Sequence, residues 1–297
     1  MSLNIPTHFV KQYTANVKLK LQETAKLRPT VMESSAQGDG AVAVDQFGSI
    51  EATRVTARFQ PMPRMDAPTD RVWAYPIAFH VAQMIDTFDR AKLMTQPDSY
   101  LVETAAAAMG RSIDTIIIER FFAAMATGVA GATSTTFDST NHRVDAAIGA
   151  SADTGMNLDK VLRAKRLLRA AHVDLEREEA WIGLGEAQEE DLMNKVRVTS
   201  GDFTRAHGIV VNDEGKLVRI SGLRVVVSTL FENDGSYRLC PVWVKSGMHL
   251  KVWQDVSARM DPRADMSSVP EQLYTSGQVG ATRTEQGRVI QIECTES

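Results

Sequence analysis

PDSYLVETAAAAMGRSIDTIIIERFFAAMATG, Pro97 to Gly128, carries the start and stop signals of one long helix. Asp98 and Ser99 can accept from the free N–H groups of a first turn. Glu103 puts negative charge near the positive end of the helix dipole. Gly128 offers the left-handed conformation that closes a helix. Between them lie strong helix formers, four of them consecutive alanines. Leu101, Ala105, Ala108, Met109, Ile113, Ile116, Ile117 and Ala124 recur at three- and four-residue steps and predict one buried face. At ~1.5 Å per residue the rod is roughly 40 Å long. A small compact domain has little use for such a rod; a flat, extended subunit does.

Working back toward the N-terminus, residues 34–80 hold short β-prone pieces split by Gly38, Gly40 and Gly48, then Pro61, Pro63 and Pro68 within eight residues. RVWAYPIAFHVAQMID then resumes an extended pattern. This reads as an out-and-back excursion with a proline-rich tip, too poor in apolar residues to fold alone. A structureless loop of that length is foreign to a compact domain, so the excursion is expected to lie on another subunit. Arg54, Arg58, Arg64 and Arg71 are its natural ion-pairing groups, with Asp66 and Asp70 beside them. Residues 1–33 lack a core face and read as an arm ordered from outside. Lys11, Lys18, Lys20, Lys26 and Arg28 outnumber Glu23 and Glu33 there. Lys18 and Lys20 join the candidate inter-subunit contacts.

After the long helix, residues 128–156 have the Gly, Ser, Thr and Ala content of a loop. GVAGA lacks the GK[ST] ending of a phosphate-binding loop and follows a helix, not a strand. A second helix starts after Asn157. Leu158, Val161, Leu162, Leu168 and His172 are its expected packed side, and Lys160, Arg163, Lys165, Arg166 and Arg169 its basic remainder. That basic face reads either as a surface for nucleic acid or an acidic neighbour, or as a solvated face with packed stems. Ala180 to Leu184 reads as a buried strand, followed by a turn at Gly185 and a short acidic helix. NDEG (Asn212–Gly215) and ENDG (Glu232–Gly235) are hairpin turns. MHLKVWQDVSARMDP alternates as a long strand ending at Pro262, with Leu250, Val252, Val256, Ala258 and Met260 on one face. Two more strands flank Glu285–Gly287.

Composition narrows the function. A formal net charge of −4 opposes tight, sequence-independent binding to nucleic acid. Cys240 and Cys294, the two cysteines, cannot build a disulfide framework or a four-cysteine metal site and read as buried thiols of a reducing compartment. The first residues lack a signal-peptide pattern, and no window approaches the ~18 apolar residues of a membrane span. The six histidines show no helical pair and no HExxH, and there is no G-x-S-x-G elbow. Trp73, Trp181, Trp243 and Trp253 fall in separate apolar strands and read as core. No catalytic residue, metal or cofactor is assigned.

The order of parts is arm, excursion, long helix, second helix, strand-rich unit and returning strand. With DRAKLMTQPDSYLVETAAAAMGRSIDTIIIERFFAAMATG and the tail GATRTEQGRVIQIEC, this order resembles the major capsid proteins of tailed bacteriophages. Those proteins have the Hong Kong 97-type capsid fold. The resemblance implies an α+β class: N-terminal arm (1–33), extended β-hairpin loop (34–80), peripheral domain (81–178, spine helix 98–127), axial domain (179–244) and a return to the peripheral domain (245–297). It implies a subunit that self-assembles through pentamers and hexamers into an icosahedral shell around double-stranded DNA. It also implies a virion location and assembly in the bacterial host cytoplasm. The implied partners are further copies, a separate scaffolding protein (the chain has no room for a long cleaved N-terminal one), a portal protein and a decoration protein. DNA contacts would be weak, and no membrane is involved. The family's Lys–Asn cross-link finds no matching residues here and is not carried over. The alternatives are an encapsulin-like bacterial nanocompartment shell protein and a soluble enzyme with an unrecognised site.

Overall fold

The computed structural model describes residues 25–48, 69–86, 98–198, 209–212, 215–267 and 269–296, with isolated positions between 50 and 67. Its strands in chain order are β1 (Met32–Ser35), β2 (Ala41–Phe47), β3 (Thr69–Ala74), β4 (Ile77–Ile85), β5 (Met125–Thr127), β6 (Thr133–Thr135), β7 (Arg143–Val144) and β8 (Ala180–Leu184). Then come β9 (Val210–Val211), β10 (Leu217–Ile220), β11 (Leu223–Val227), β12 (Arg238–Val244), β13 (Met248–Pro262), β14 (Glu271–Arg283) and β15 (Val289–Cys294). The helices are α1 (Asp98–Phe122), α2 (Leu158–Ala170) and α3 (Glu186–Val198).

Three sheets carry these strands. One runs β1-β13-β14-β4, one β7-β15-β12-β8-β11-β10-β9, and one β2-β3-β5-β6. The first is built on the long β13–β14 hairpin, registered from Met248 opposite Arg283 to Pro262 opposite Glu271. α1 lies against β14 and β4. Ala105, Met109, Ile113, Ile117 and Phe121, at four-residue steps, are buried. The second sheet has seven strands. β8 and β11 are parallel there, the pairing that needs a crossover connection, and α3 lies in that connection. Pro241 sits within β12, yet the ladder to β8 covers only Val242 to Val244. A residue with no N–H therefore stands where the pairing stops.

Strand alternation sends β12 and β15 to two cores. Cys240, Val242, Ile290, Ile292 and Cys294 pack with Val161, Ala164 and Leu168 of α2 and Leu192 of α3. Trp243 and Val289 face the other way, toward Ile113, Ile117 and Phe121 of α1 and Leu250 of β13. The C-terminal half of α1 thus joins the seven-stranded sheet to the β13–β14 hairpin. Trp243 stacks at a tilt on Phe121, centroids 4.8 Å apart, and donates from Nε1 to the Thr30 carbonyl at 3.2 Å.

Four sequence expectations need correction. The long helix ends at Phe122, not 127. Residues 125–127 pair as β5 with Val72 and Trp73, and Ala124, expected in the buried face, is exposed. Gly128 still adopts φ +89°, but in the turn between β5 and β6. The last residues of the expected arm are part of the subunit's own core. Leu27 and Val31 are buried against α1, and β1 pairs in parallel with β13. In α2, Leu162 and His172 are exposed while Lys160 is buried. His172 takes the left-handed position after the helix, φ 60°, as Val173 N–H reaches back to the Leu168 carbonyl. The loop 128–156 contains β6 and β7. Ser221 and Gly222, both at positive φ, form the two-residue β10–β11 turn, which the sequence reading passed over.

Candidate functional site

The excursion of residues 34–80 starts and ends as two antiparallel strands, β2 and β3, paired from Ala41 opposite Ala74 to Phe47 opposite Thr69. This pair, the root of the excursion, is fixed to the loop after α1. The Gly128 N–H donates to the Arg71 carbonyl at 3.0 Å and to Asp70 Oδ1 at 2.9 Å. Trp73 Nε1 donates to the Gly128 carbonyl at 2.8 Å. Arg71 Nε pairs with Asp45 of the same hairpin at 2.7 Å. Asp70 and Arg71 are thus engaged inside the subunit. Arg54, Arg58 and Asp66 are exposed beyond the root, and Lys18, Lys20 and Arg64 lie outside the described residues. The structure therefore does not gather the candidate contact residues into one cluster. Past the root, Phe47 is 76% exposed and Ile50 57%. These are large apolar side chains held outside the core.

A second unfinished surface is the distal half of β13. β1 covers its outer edge only as far as Val252. From Gln254 to Met260 every residue is exposed, on both faces of the strand. Val256 and Met260, expected on the packed face, lie beyond α1. Across the sheet, Arg259 lies over the Tyr274 ring at 5.2 Å, and Tyr274 stacks on His80 at 5.9 Å.

Buried polar groups hold the base from which these parts project. Asp114, a carboxylate within the apolar run of α1, accepts the backbone N–H groups of Lys26 (2.7 Å) and Leu27 (3.2 Å). It ties the first described residues of the chain to α1. Lys160 is fully buried, and its Nζ donates to the carbonyls of Thr154 (2.7 Å) and Glu293 (2.9 Å). Burial pushes its pKa down. Arg283, 1% exposed, donates from Nη1 to the Phe121 (2.5 Å) and Ala123 (3.2 Å) carbonyls at the end of α1 and lies over the Phe137 ring. Burial lowers its pKa to about 10. His249, between β1 and β14, has Nε2 2.9 Å from Ser34 Oγ, and burial, with Lys251 nearby, holds its pKa at about 4. Sequence reasoning missed all four. Only Asp114 left a signal, as a lone acid among isoleucines.

Cys240 and Cys294 are free and buried. Among the described residues no group of three His, Cys, Asp or Glu could hold a metal ion, and no helix is long and apolar enough to cross a membrane. A cavity of about 350 Å³ opens between α2 and the loop before it, lined by Ser139, Thr140, Arg143, Asp145, Ile148 and Arg163. It holds no paired acid and base at catalytic geometry, and its arginines suit an anionic group.

Residues 5–296 match the family model described as phage capsid protein. The chain belongs to this phage capsid protein family. The capsid subunit also superposes on solved capsids at low identity. For the capsid of Cyanophage P-SCSP1u the TM-score is 0.73 at 13% identity, covering 97% of this chain and 94% of that one. For the mature capsid of bacteriophage PhiM1 it is 0.70 at 11%, covering 97% and 92%. For the capsid of Ralstonia phage GP4 it is 0.72 at 9%, covering 97% and 95%. A comparison with curated protein sequences finds no significant match. The fold is the α+β, Hong Kong 97-type fold that the sequence implied. The chain is a major capsid protein of the tailed-phage type, a self-assembling structural subunit of the virion shell, and the nanocompartment and soluble-enzyme alternatives are not favoured.

Proposed function

We propose that the subunit closes into pentamers and hexamers, and these into an icosahedral shell, by laying its projecting parts on neighbours. The observation that carries this reading is the exposure of Phe47 and Ile50 beyond a hairpin whose root is rigidly fixed. A lone subunit gains nothing from holding apolar groups in water; a lattice does. Along the chain we assign an arm (1–33), an extended loop (34–80), a peripheral domain (81–178 and 245–297) and an axial domain (179–244). β7, β15 and α2, from the flanking segments, pack onto the axial strands. The role is structural and non-catalytic. Assembly takes place in the host cytoplasm with a separate scaffolding protein and a portal protein, and a decoration protein can add to the outer surface. Contacts with packaged double-stranded DNA are weak, consistent with the net charge of −4.

In this reading Arg54, Arg58, Arg64 and Asp66 on the loop, with Lys18 and Lys20 on the arm, contact neighbouring subunits. Asp70 and Arg71 add to those contacts from the root. Replacing Arg54, Arg58 and Arg64 by alanine should leave a soluble, folded subunit that assembles poorly, as read by gradient sedimentation and microscopy. Full-sized shells of unchanged stability from that variant would contradict the assignment.

A further inference from the structure

α2 presents an arginine face with nothing to pair with inside the subunit. Val161, Ala164 and Leu168 turn into the core, which leaves Arg166 on the opposite side, with Arg163 and Arg169 flanking it. Elsewhere most described arginines meet a carboxylate: Arg28, Arg71, Arg143, Arg177, Arg224, Arg238, Arg259, Arg263 and Arg288. Arg163, Arg166 and Arg169 meet none. Arg163 Nε is buried without an acceptor, beside the cavity it lines with Arg143. Leu162, in line with Arg166 and Arg169 at four- and seven-residue steps, is 42% exposed. An apolar side chain ringed by arginines is the composition of an interface centre rather than of a solvated face. The acids on this side are Asp159, in the first turn of α2, and Asp145 in the cavity wall. Lys165 is already used, its Nζ on the Ser221 carbonyl at 2.6 Å.

The same subunit carries a complementary face. α3 packs into the same core as α2 through Leu192. Its first turns hold Glu186, Glu189 and Glu190. Glu186 and Glu190, one turn apart, are exposed. Glu186 only approaches Arg238, at 3.9 Å, and Glu189 and Glu190 have no ion pair. Among the described residues, no ion pair joins these two oppositely charged faces within the chain. They can pair between copies.

We infer that the arginine face of α2 (Arg163, Arg166 and Arg169 around Leu162) docks on the acidic first turns of α3 (Glu186, Glu189, Glu190) of an adjacent copy. The contact joins two different surfaces, the head-to-tail kind from which rings are built when the rotation between copies closes. Charge of one sign on each face fixes which surfaces meet and repels the mismatched pairings. The cavity beside Arg163 accepts a glutamate side chain and supplies the orphan Nε with an acceptor.

The inference rests on the shell reading, and the wild-type chain separates the two. If it forms no shells or capsomers, the shell reading fails. The test compares wild type, Arg163→Glu/Arg166→Glu/Arg169→Glu, Glu189→Lys/Glu190→Lys, and the combination of both sets. Particle yield is read by gradient sedimentation and electron microscopy, and folding of each subunit by circular dichroism. Each one-sided reversal should cut particle yield by at least about tenfold, the change that ~1.4 kcal/mol per contact produces. The combined swap should recover most of it. Normal assembly with reversed arginines overturns the inference, as does a folded combined variant that stays unassembled. Normal shells from the arginine variant that package less DNA would assign this face to nucleic acid instead and overturn it equally.

Discussion

The β12–β15 pair and the distal half of β13 are both antiparallel strands, yet the first is mostly apolar and regular, and the second is mostly polar, with breaks in register between Val252 and Ser257. All of β15 and all but the first residue of β12 are buried, with α2 and α3 on one face of the sheet and α1 on the other. Gln254 to Met260 of β13 are exposed on both faces. The first region is finished within one chain; the second stays exposed. Sequence pattern and burial agree here: the apolar strands are the ones both faces of which are covered.

Substitutions should divide along that line. The largest effect belongs to Trp243→Ala, which empties the junction of α1 and the seven-stranded sheet. A cost of about 3–5 kcal/mol is expected in denaturant unfolding of the free subunit. His249 comes next. Its buried ring stays neutral down to about pH 4, while in the unfolded chain it takes a proton near 6.5. Above pH 6.5 it adds no pH dependence. Between 6.5 and 4 the unfolded state gains protons that the folded state does not, so stability falls by up to about 3 kcal/mol. His249→Gln should flatten the dependence of Tm on pH in that window, and an unchanged slope would place the titration elsewhere. Asp114→Ala leaves two inward-facing N–H groups of the arm root without their acceptor, and about 1–3 kcal/mol should be lost. Gly128→Ala meets a φ of +89° with Thr133 Oγ1 3.3 Å from the new Cβ, for about 1–2 kcal/mol. Met260→Ala, in the unfinished region, should change the free subunit by less than about 0.5 kcal/mol. The same change should lower the thermal stability of the assembled particle.

The sequence made the periodic parts legible. The long strand was expected to end at Pro262 and does so. The second helix was expected after Asn157, whose side chain caps it by accepting from the Lys160 N–H. Those limits are set locally, by a missing N–H and by a capping amide. The end of α1 was not legible. Arg283, 160 residues further along, takes the Phe121 and Ala123 carbonyls, and Val72 and Trp73 claim residues 126–127 as strand. Lys160 went wrong for the same reason: the Glu293 carbonyl that accepts from it lies 133 residues away. A cation on a helix whose acceptors are distant backbone looks, in sequence, like any other surface lysine. The burial of Leu27 and Val31 against α1 was not legible, because nothing in residues 1–33 forms a periodic apolar face.

Hydrogen–deuterium exchange of free subunits and of assembled shells reaches the comparison most directly. Amides of β12 and β15 should be strongly protected in both states. Amides of β2 and of residues 254–262 should exchange rapidly in the free subunit and become protected by at least about tenfold on assembly. Equal exchange of residues 254–262 in the two states would contradict the account, because nothing in the shell would then be completing that strand.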